Sequence, residues 1–216
     1  MPRKKQVVEC CRSAIKVLLK KHMKLPLFNM REEDFRSSLL QMLRKNISGK
    51  VPVTLKNDKD DIEVPMDLAC REKAFTSRVH SEVRLIPEKG KGRQTYDIVV
   101  LKKQRVEFRV KQSGTDVLEK LALEDVEVVI EIKAAPSNRQ HKKFKEDIGK
   151  LQNLACAKRM LVVIDKSELH GMPPIGSKKS NLTWREGSRE KARGSKDVEV
   201  WFHDKKRRPT RKFFGR

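Results

Sequence analysis

The sequence predicts a mixed α/β domain built around a central sheet. Apolar residues recur at helical spacing near the start of the chain and again over residues 138–157, whereas between residues 79 and 133 they alternate with polar ones, as in half-buried strands. The run "RMLVVID" at 159–165 is apolar throughout, which is typical of a strand buried inside a sheet. At 216 residues the chain is long enough to enclose a substantial core.

Two helices are predicted ahead of the strands. Over residues 6–22 the apolar side chains form one stripe, with lysines and an arginine on the other side. A second helix is expected over about residues 31–46, with Asn29 as its N-cap and acidic residues in its first turn, where the helix dipole is positive. The segment that follows is assigned a short strand, "VPVTL", and two helical turns, "MDLACREKAF".

Strands are predicted at "VHSEVRLI", "TYDIVVLKK", "VEFRVKQ", "VEVVIEIK" and "RMLVVID", whereas "VLEKLALED" is assigned a short helical or turn segment. A helix over 138–157 lies between the last two strands, so they are expected to be parallel neighbours joined by a crossover. The predicted organisation is a basic amphipathic helix (1–30), a core (31–175) and a basic loop with one further strand and a tail (176–216).

The charge of the chain points to a polyanionic partner. Lysine and arginine number 51 against 29 acidic residues, for a net charge of +22. Nucleic acid is the leading candidate, and an anionic membrane surface contacted by the helix at 6–22 is the alternative. We expect no membrane span, because no apolar run approaches the roughly 18 residues required. The N-terminus lacks the features of a signal peptide, so an intracellular location is expected, in the cytoplasm or nucleoid, or in the nucleus of a eukaryote.

The four cysteines do not have the spacing of a zinc knuckle, and we interpret them as reduced thiols. A zinc site that includes His22 or His80 has no support in the spacing.

The strand at 126–133 combines apolar side chains with an acid and a base. Alternation sets Val128, Ile130 and Ile132 on one face, and Glu127, Val129, Glu131 and Lys133 on the other. A carboxylate and an ammonium two residues apart indicate either a surface ion pair or a catalytic centre.

Asp97 favours the catalytic interpretation, because it begins a second apolar strand. If the two strands pair, the carboxylates of Asp97 and Glu131 converge beside Lys133. Such a group suits a magnesium ion, which is commonly held by one or two carboxylates and substrate phosphate and which polarises a phosphoryl oxygen. Lys133 would position or deprotonate water, or stabilise negative charge in the transition state.

The strings "DIVV" (97–100) and "VIEIK" (129–133) resemble the motif of the PD-(D/E)XK, or restriction-endonuclease-like, nuclease superfamily. "VHSEVRL" is similar to an acidic strand of several branches, and "DIGKLQNL" to the helix after the catalytic strand. The resemblance covers roughly residues 31–165. Two departures are that Tyr96 replaces the motif proline and that a long insert, "RVEFRVKQSGTDVLEKLALED", replaces a tight hairpin.

The resemblance implies a restriction-endonuclease-like core, with a mixed four- to five-stranded sheet flanked by helices, and a metal-dependent endonuclease acting on DNA. It implies Mg²⁺ or Mn²⁺ as cofactor and Lys133 as the catalytic lysine. The acids it implies as metal ligands are Asp97, Glu131, Glu82 and Glu33, with Glu32 an equal candidate for the last place.

Several basic residues are expected to contact nucleic acid. They are Lys150 on the following helix, Lys89, Lys91 and Arg93 in a glycine-bearing loop, and Lys205, Lys206, Arg207, Arg208, Arg211 and Lys212 in the tail. The aromatic residues Trp184, Trp201, Phe213 and Phe214 are candidates for stacking on unpaired bases, with core packing an equal alternative for Trp201.

Two further questions stay open at the level of sequence. A non-catalytic nucleic-acid-binding protein on a nuclease-like fold needs only the charge, and RNA remains an alternative to DNA. Cutting both strands of a duplex requires two active sites, which favours a homodimer.

Overall fold

The structure is a computed structural model that describes most of the predicted elements. The described residues are 4–24, 31–57, 74–86, 94–113, 116–135, 140–154, 158–165, 198–203 and 209–214. Within these ranges the helices are α1 (Lys4–Lys24), α2 (Glu32–Asn46) and α3 (Gln140–Gln152).

Ten strands of the described chain form one sheet. They are β1 (Lys50–Asn57), β2 (Ala74–Ser77), β3 (Val79–Ile86), β4 (Gln94–Leu101), β5 (Val106–Ser113), β6 (Asp116–Ala122), β7 (Val126–Ala135), β8 (Lys158–Asp165), β9 (Val198–His203) and β10 (Pro209–Phe214). Their order across the sheet is β10-β9-β8-β7-β4-β3-β6-β5-β1-β2. Parallel and antiparallel pairs both occur, which confirms the mixed α/β class.

The sheet is larger than the four to five strands predicted. Helices pack on six of its strands, β3, β4, β7, β8, β9 and β10, and the remaining four strands extend the sheet beyond β3. Part of the extension comes from the insert between β4 and β7, where β5 and β6 pair antiparallel, with Val110 opposite Glu119. The helical assignment for "VLEKLALED" is therefore wrong over β6, because cross-strand pairing decided a short segment that suits either structure. Only Leu123–Asp125 forms a turn of 3₁₀ helix.

The crossover after β7 has the predicted form. The chain leaves β7, forms α3 and returns as β8, which runs parallel to β7 with Ile130 opposite Met160. "VEVWFH" is strand β9, parallel to β8, and residues 209–214, which were expected to belong to a tail, form β10 against β9. The helical turns expected at "MDLACREKAF" lie largely outside the described residues, which resume with β2 at Ala74.

Two apolar cores cover the two faces of the sheet. One lies beneath α1 and α2 and contains Val128, Ile130 and Ile132 of β7, and the other lies beneath α3 and contains Val129. The alternation predicted for β7 is therefore confirmed. Because β7 is covered on both sides, any polar side chain near its middle must find a protein partner or an opening.

Local chemistry sets the start of α2. Its N-cap is Arg31, whose backbone N–H donates to Asp34 Oδ2 at 2.6 Å. Asn29, the expected cap, lies outside the described residues. No helix in the described part of the chain is long and apolar enough to cross a membrane.

Candidate active site

Asp97 lies where β4 and β7 stop pairing through their backbones. The last paired residues are Ile98 and Ile130, and one residue further Asp97 Oδ2 accepts a hydrogen bond from the backbone N–H of Ile132 at 2.8 Å. Its second oxygen accepts from Arg36 Nη1 at 3.3 Å. The carboxylate is thereby fixed between the sheet and α2.

Glu131 adjoins Asp97 from the neighbouring strand. Its side chain is almost fully buried, lies close enough to Asp97 for the two carboxyls to interact electrostatically, and forms an ion pair with Lys150. Burial, reinforced by the Asp97 carboxylate and only partly opposed by the Lys150 ammonium, raises the pKa of Glu131 to about 8. Two carboxyl groups thus share one small volume, as the sequence predicted from strand pairing.

Lys150 reaches this acid pair from α3. Its ammonium donates to the backbone carbonyl of Thr95 and to Glu131, and it lies 4.2 Å from the centre of the Tyr96 ring. Burial and the charge of Glu131 raise the pKa of the Tyr96 hydroxyl, which donates to Gln94 Oε1 at 2.7 Å. Lys150, which was predicted to contact phosphate, therefore lies in the site itself and provides the counter-charge to Glu131.

Lys133 is held between two further carboxylates. Its Nζ lies 3.3 Å from Asp147 Oδ2 on α3 and 3.8 Å from Glu32 Oε1 on α2. Burial lowers the pKa of Lys133, but the charges of Glu32 and Asp147 outweigh it and raise the pKa above its ordinary value. Lys133 is accordingly a cation at neutral pH.

Of the two glutamates at the start of α2, the structure brings Glu32 into the site. Its Oε2 accepts from the backbone N–H of Ala134 at 3.1 Å, and burial raises its pKa against the lowering effect of that bond and of Lys133. Glu33 is exposed and lies outside this group.

Glu82 meets the site through Arg36. Its carboxylate is exposed and lies 3.0 Å from Arg36 Nη1, the same nitrogen that contacts Asp97. The backbone of Glu82 is left-handed, with a φ of 55°, inside strand β3. This conformation is costly for a residue with a side chain, and such strain is often found beside functional sites.

Replacing Glu82 separates its strain from its charge. Glu82→Ala removes the Arg36 contact and keeps the strained backbone, whereas Glu82→Gly removes both. We expect the glycine variant to be more stable than the alanine variant by about 1 kcal/mol, because glycine tolerates positive φ. Urea unfolding of the two variants measures this difference, and an alanine variant of equal or higher stability would contradict the strain.

The site can supply two carboxylates to a divalent cation. Among the residues that the structure describes, no three His, Cys, Asp or Glu side chains are grouped as ligands. The adjoining carboxyls of Asp97 and Glu131 fit the simpler arrangement of one or two carboxylates completed by water and phosphate. In the structure their counter-charges are Arg36 and Lys150.

Most of the predicted nucleic-acid contacts fall elsewhere or outside the described residues. Arg211 lies on β10, and Lys212 is in the same strand, where only its backbone is described. Several others lie outside the residues that the structure describes: Lys89, Lys91, Arg93, Lys205, Lys206, Arg207, Arg208 and Trp184. Trp201 is buried in the core beneath α1, so core packing describes it better than stacking on bases.

Sequence reasoning missed Arg36 and the role of Asp147. Asp147 and Lys150 are one helical turn apart, and each meets a β7 side chain, Lys133 and Glu131 respectively. Residues two apart on a strand and residues three apart on a helix each lie on one face. The spacing in "EIK" and "DIGK" could therefore have predicted these two contacts. Arg36 gave no such signal, because the approach of α2 to β4 is a tertiary contact.

Comparisons with known proteins give little beyond this geometry. No protein-family description matches the chain, and no curated protein matches it. Two solved structures are similar in outline: NucC of P. aeruginosa ATCC27853 and NucC of E. coli MS115-1, both in a cAAA-bound form. The first is 12% identical with a TM-score of 0.35, covering 98% of this chain and 84% of that one. The second is 11% identical with a TM-score of 0.37, covering 98% and 83%. At these scores neither carries a conclusion about function.

Proposed function

We propose that the protein is a metal-dependent nuclease that hydrolyses phosphodiester bonds in DNA as an endonuclease. The observation that carries the proposal is the adjoining pair of Asp97 and Glu131 with a cationic Lys133 on the same strand. In the reaction a water oxygen bonds to phosphorus while one P–O ester bond breaks, which leaves a hydroxyl end and a phosphate end.

Lys133 would stabilise charge in this reaction rather than remove a proton. Because Glu32 and Asp147 raise its pKa, Lys133 keeps its proton at neutral pH and is a poor general base. A fixed ammonium beside the reacting phosphate would instead favour the transition state, in which negative charge increases on the phosphoryl oxygens.

Mg²⁺ or Mn²⁺ would be held by Asp97 and Glu131. Such an ion polarises a phosphoryl oxygen and makes its bound water more acidic. The raised pKa of Glu131 supports this assignment, since a buried acid pair is stabilised by added positive charge. Arg36 and Lys150, the present partners of the pair, would turn toward substrate phosphate or solvent.

Supercoiled plasmid tests the proposal directly. Purified protein incubated with Mg²⁺ or Mn²⁺ is expected to convert the plasmid to open circles and then to linear DNA, and EDTA is expected to stop both steps. A mock purification from cells without the chain identifies contaminating nucleases. Absence of cleavage of DNA and RNA with either ion would overturn the proposal. Direct conversion to linear DNA would support the homodimer, since it requires two coupled active sites.

A second candidate is a non-catalytic nucleic-acid-binding protein on the same fold. One observation favours it: Glu131 pairs with Lys150, Asp97 with Arg36, and Lys133 with both Glu32 and Asp147. Structural ion-pair networks perturb pKa values as active sites do. Binding of plasmid without cleavage would select this candidate.

Asp147→Asn is expected to change the pH dependence of cleavage. Removing one of the two carboxylates that keep Lys133 protonated lowers the pKa of Lys133. The pH at which activity is lost on the alkaline side should therefore fall. Cleavage rates measured across a range of pH give the pH at which activity falls on the alkaline side.

The control for this prediction is Glu146→Gln. Glu146 precedes Asp147 on α3 and is exposed, so the same loss of charge should leave the pH profile in place. Equal profiles for Asp147→Asn and wild type would show that Asp147 does not set the charge of Lys133.

A further inference from the structure

Glu199 on β9 is a fully buried carboxylate beneath α1. Arg12 of α1 binds it with two nitrogens, Nε at 3.0 Å and Nη2 at 2.8 Å, and the indole N–H of Trp201 donates to it at 2.9 Å. Burial raises the pKa of Glu199, but the Arg12 contact and the nearby cations outweigh it, and the pKa falls below its ordinary value. The ion pair therefore fixes α1 to the sheet.

Two further cations lie close to Glu199. Lys158 Nζ on β8 lies 3.5 Å from its carboxylate and Arg211 Nη1 on β10 lies 3.6 Å away, in addition to Arg12. Three cations thus surround one anion. Each is partly exposed, so an anion from solution can reach these side chains.

Further cations lie on the outer face of α1. Lys16 Nζ lies 5.9 Å from the centre of the Trp201 ring, and the Arg211 guanidinium lies 5.7 Å from it. One helical turn further along, Lys20 and Lys21 are also exposed. The only exposed acid that the structure describes on α1 is Glu9, which is paired with Arg12. We call Arg12, Lys16, Lys20, Lys158 and Arg211 the α1–β10 basic surface.

We propose that the α1–β10 basic surface binds the phosphate backbone of nucleic acid. The inference deepens the proposed function, because it names a binding surface for the same class of substrate apart from the acid pair. A row of cations along a helix matches the repeated negative charge of a phosphodiester backbone, and binding there would release counterions. Contacts to the phosphate backbone position a nucleic acid and carry no sequence information by themselves.

A membrane surface fits α1 less well. A helix that lies in a lipid interface buries its own apolar face among acyl chains. The apolar face of α1 is instead buried in the protein core, and Val17 is its one exposed large apolar side chain among the described residues. Lysines without an accessible apolar face favour a polyanion over a lipid bilayer.

The test compares two charge-matched double variants. Lys16→Gln with Arg211→Gln removes two cations from the surface, and Lys45→Gln with Lys103→Gln removes two exposed lysines from other parts of the chain. Fluorescence anisotropy with a labelled DNA oligonucleotide gives the Kd at several salt concentrations, without divalent ions so that no cleavage occurs. We expect the first variant to lose at least about 10-fold in affinity and its salt slope to fall by about 2, at roughly 0.9 per lost contact. We expect the second to change less than about 3-fold.

Trp201 offers a second readout at the surface. The chain has two tryptophans, so Trp184→Phe leaves Trp201 as the only one. Its emission should change when the oligonucleotide binds, and this change should be lost in the additional Lys16→Gln variant. Lys16→Gln alone also covers the case in which Arg211→Gln weakens folding, because Lys16 contacts no carboxylate of the Glu199 group in the structure's described contacts.

Each outcome has one consequence. Equal losses in both double variants, or a Trp201 signal unaffected by Lys16→Gln, would overturn the surface. Binding of phosphatidylserine vesicles that depends on Lys16, with oligonucleotide binding unchanged, would overturn it in favour of a membrane. If inorganic phosphate alone gives the full change in Trp201 emission, and the oligonucleotide does not compete with it, the site binds free phosphate and the proposal for nucleic acid is overturned. If DNA binding depends on the α1–β10 basic surface but the protein does not cleave DNA, only the nuclease proposal is overturned. If the protein cleaves DNA but its binding does not depend on this surface, only the present inference is overturned.

Discussion

Glu131→Gln is expected to abolish cleavage of DNA and to stabilise the folded protein at alkaline pH. Removal of a carboxylate that would hold the metal ion should lower the cleavage rate by at least about 100-fold, because the charge stabilisation it supports is lost. The same substitution removes an acid that is almost fully buried beside Asp97. An amide of the same shape cannot ionise, so the repulsion disappears.

The sign of the pH effect follows from the direction in which the pKa moves on folding. The folded protein raises the pKa of Glu131 from its ordinary 4.5 to about 8, so it holds this proton more tightly than the unfolded chain does. The contribution of Glu131 to stability is therefore complete below about pH 4.5 and is lost as the pH rises to about 8. In Glu131→Gln this decline is absent. The two proteins should differ most above pH 8, with an upper limit of about 1.4 kcal/mol for each pH unit that separates the folded and unfolded pKa values.

Urea unfolding from pH 5 to pH 9, in the absence of divalent ions, measures this difference. Glu124→Gln is the control, because Glu124 is an exposed acid that precedes the same strand. A Glu131→Gln variant that cleaves like wild type would exclude Glu131 from the active site. Parallel stability curves for the variant and wild type would instead contradict the buried acid pair.

Glu199→Gln is expected to destabilise the folded protein. It leaves Arg12, Lys158 and Arg211 facing one another without their common anion. We expect a loss of about 2–3 kcal/mol, below the roughly 3–5 kcal/mol of a fully buried pair, because the three cations stay partly exposed. Since the pKa of Glu199 is lowered, its contribution is present at neutral pH and disappears as the pH falls below about 4.5.

Glu9→Gln is the matched control, since Glu9 contacts the same Arg12 from a position one helical turn away. Its carboxylate is 62% exposed, and surface pairs of this kind contribute about 0.5 kcal/mol or less. Thermal unfolding of both variants at pH 7 gives the comparison. Equal losses for the two glutamates would show that burial of Glu199 does not strengthen the ion pair.

Periodicity predicted the central strands well. The alternation in "VEVVIEIK" gave the two faces of β7, and the apolar run at 159–165 gave its parallel neighbour β8. Both faces of these strands are buried in core, so most of their residues are apolar and the strands are easy to recognise in the sequence. Segment 117–122 could not be assigned in this way, because "VLEKLA" suits either a helix or a strand. Pairing with β5 makes it a strand.

The site was predictable only as far as its strand residues. Pairing of β4 with β7 brings Asp97 to Glu131. This contact was predictable because both strands were assigned from the sequence and each carries its acid beside the paired residues Ile98 and Ile130. The choice of Glu32 over Glu33 depends on the rotation of α2 against β7, which is set by the packing of Phe35 and Leu39. Glu199 shows the same limit, since only the placement of α1 above β9 brings Arg12 to it.

The bond between Arg12 and Glu199 joins residues 187 positions apart in the chain. Closing so long a loop is entropically costly, and sheets assembled from distant segments fold slowly. During synthesis Arg12 has no Glu199 to bind until β9 has left the ribosome. We expect α1 to dock in a late step of folding, so its backbone amides should gain protection from hydrogen exchange after those of β4 and β7.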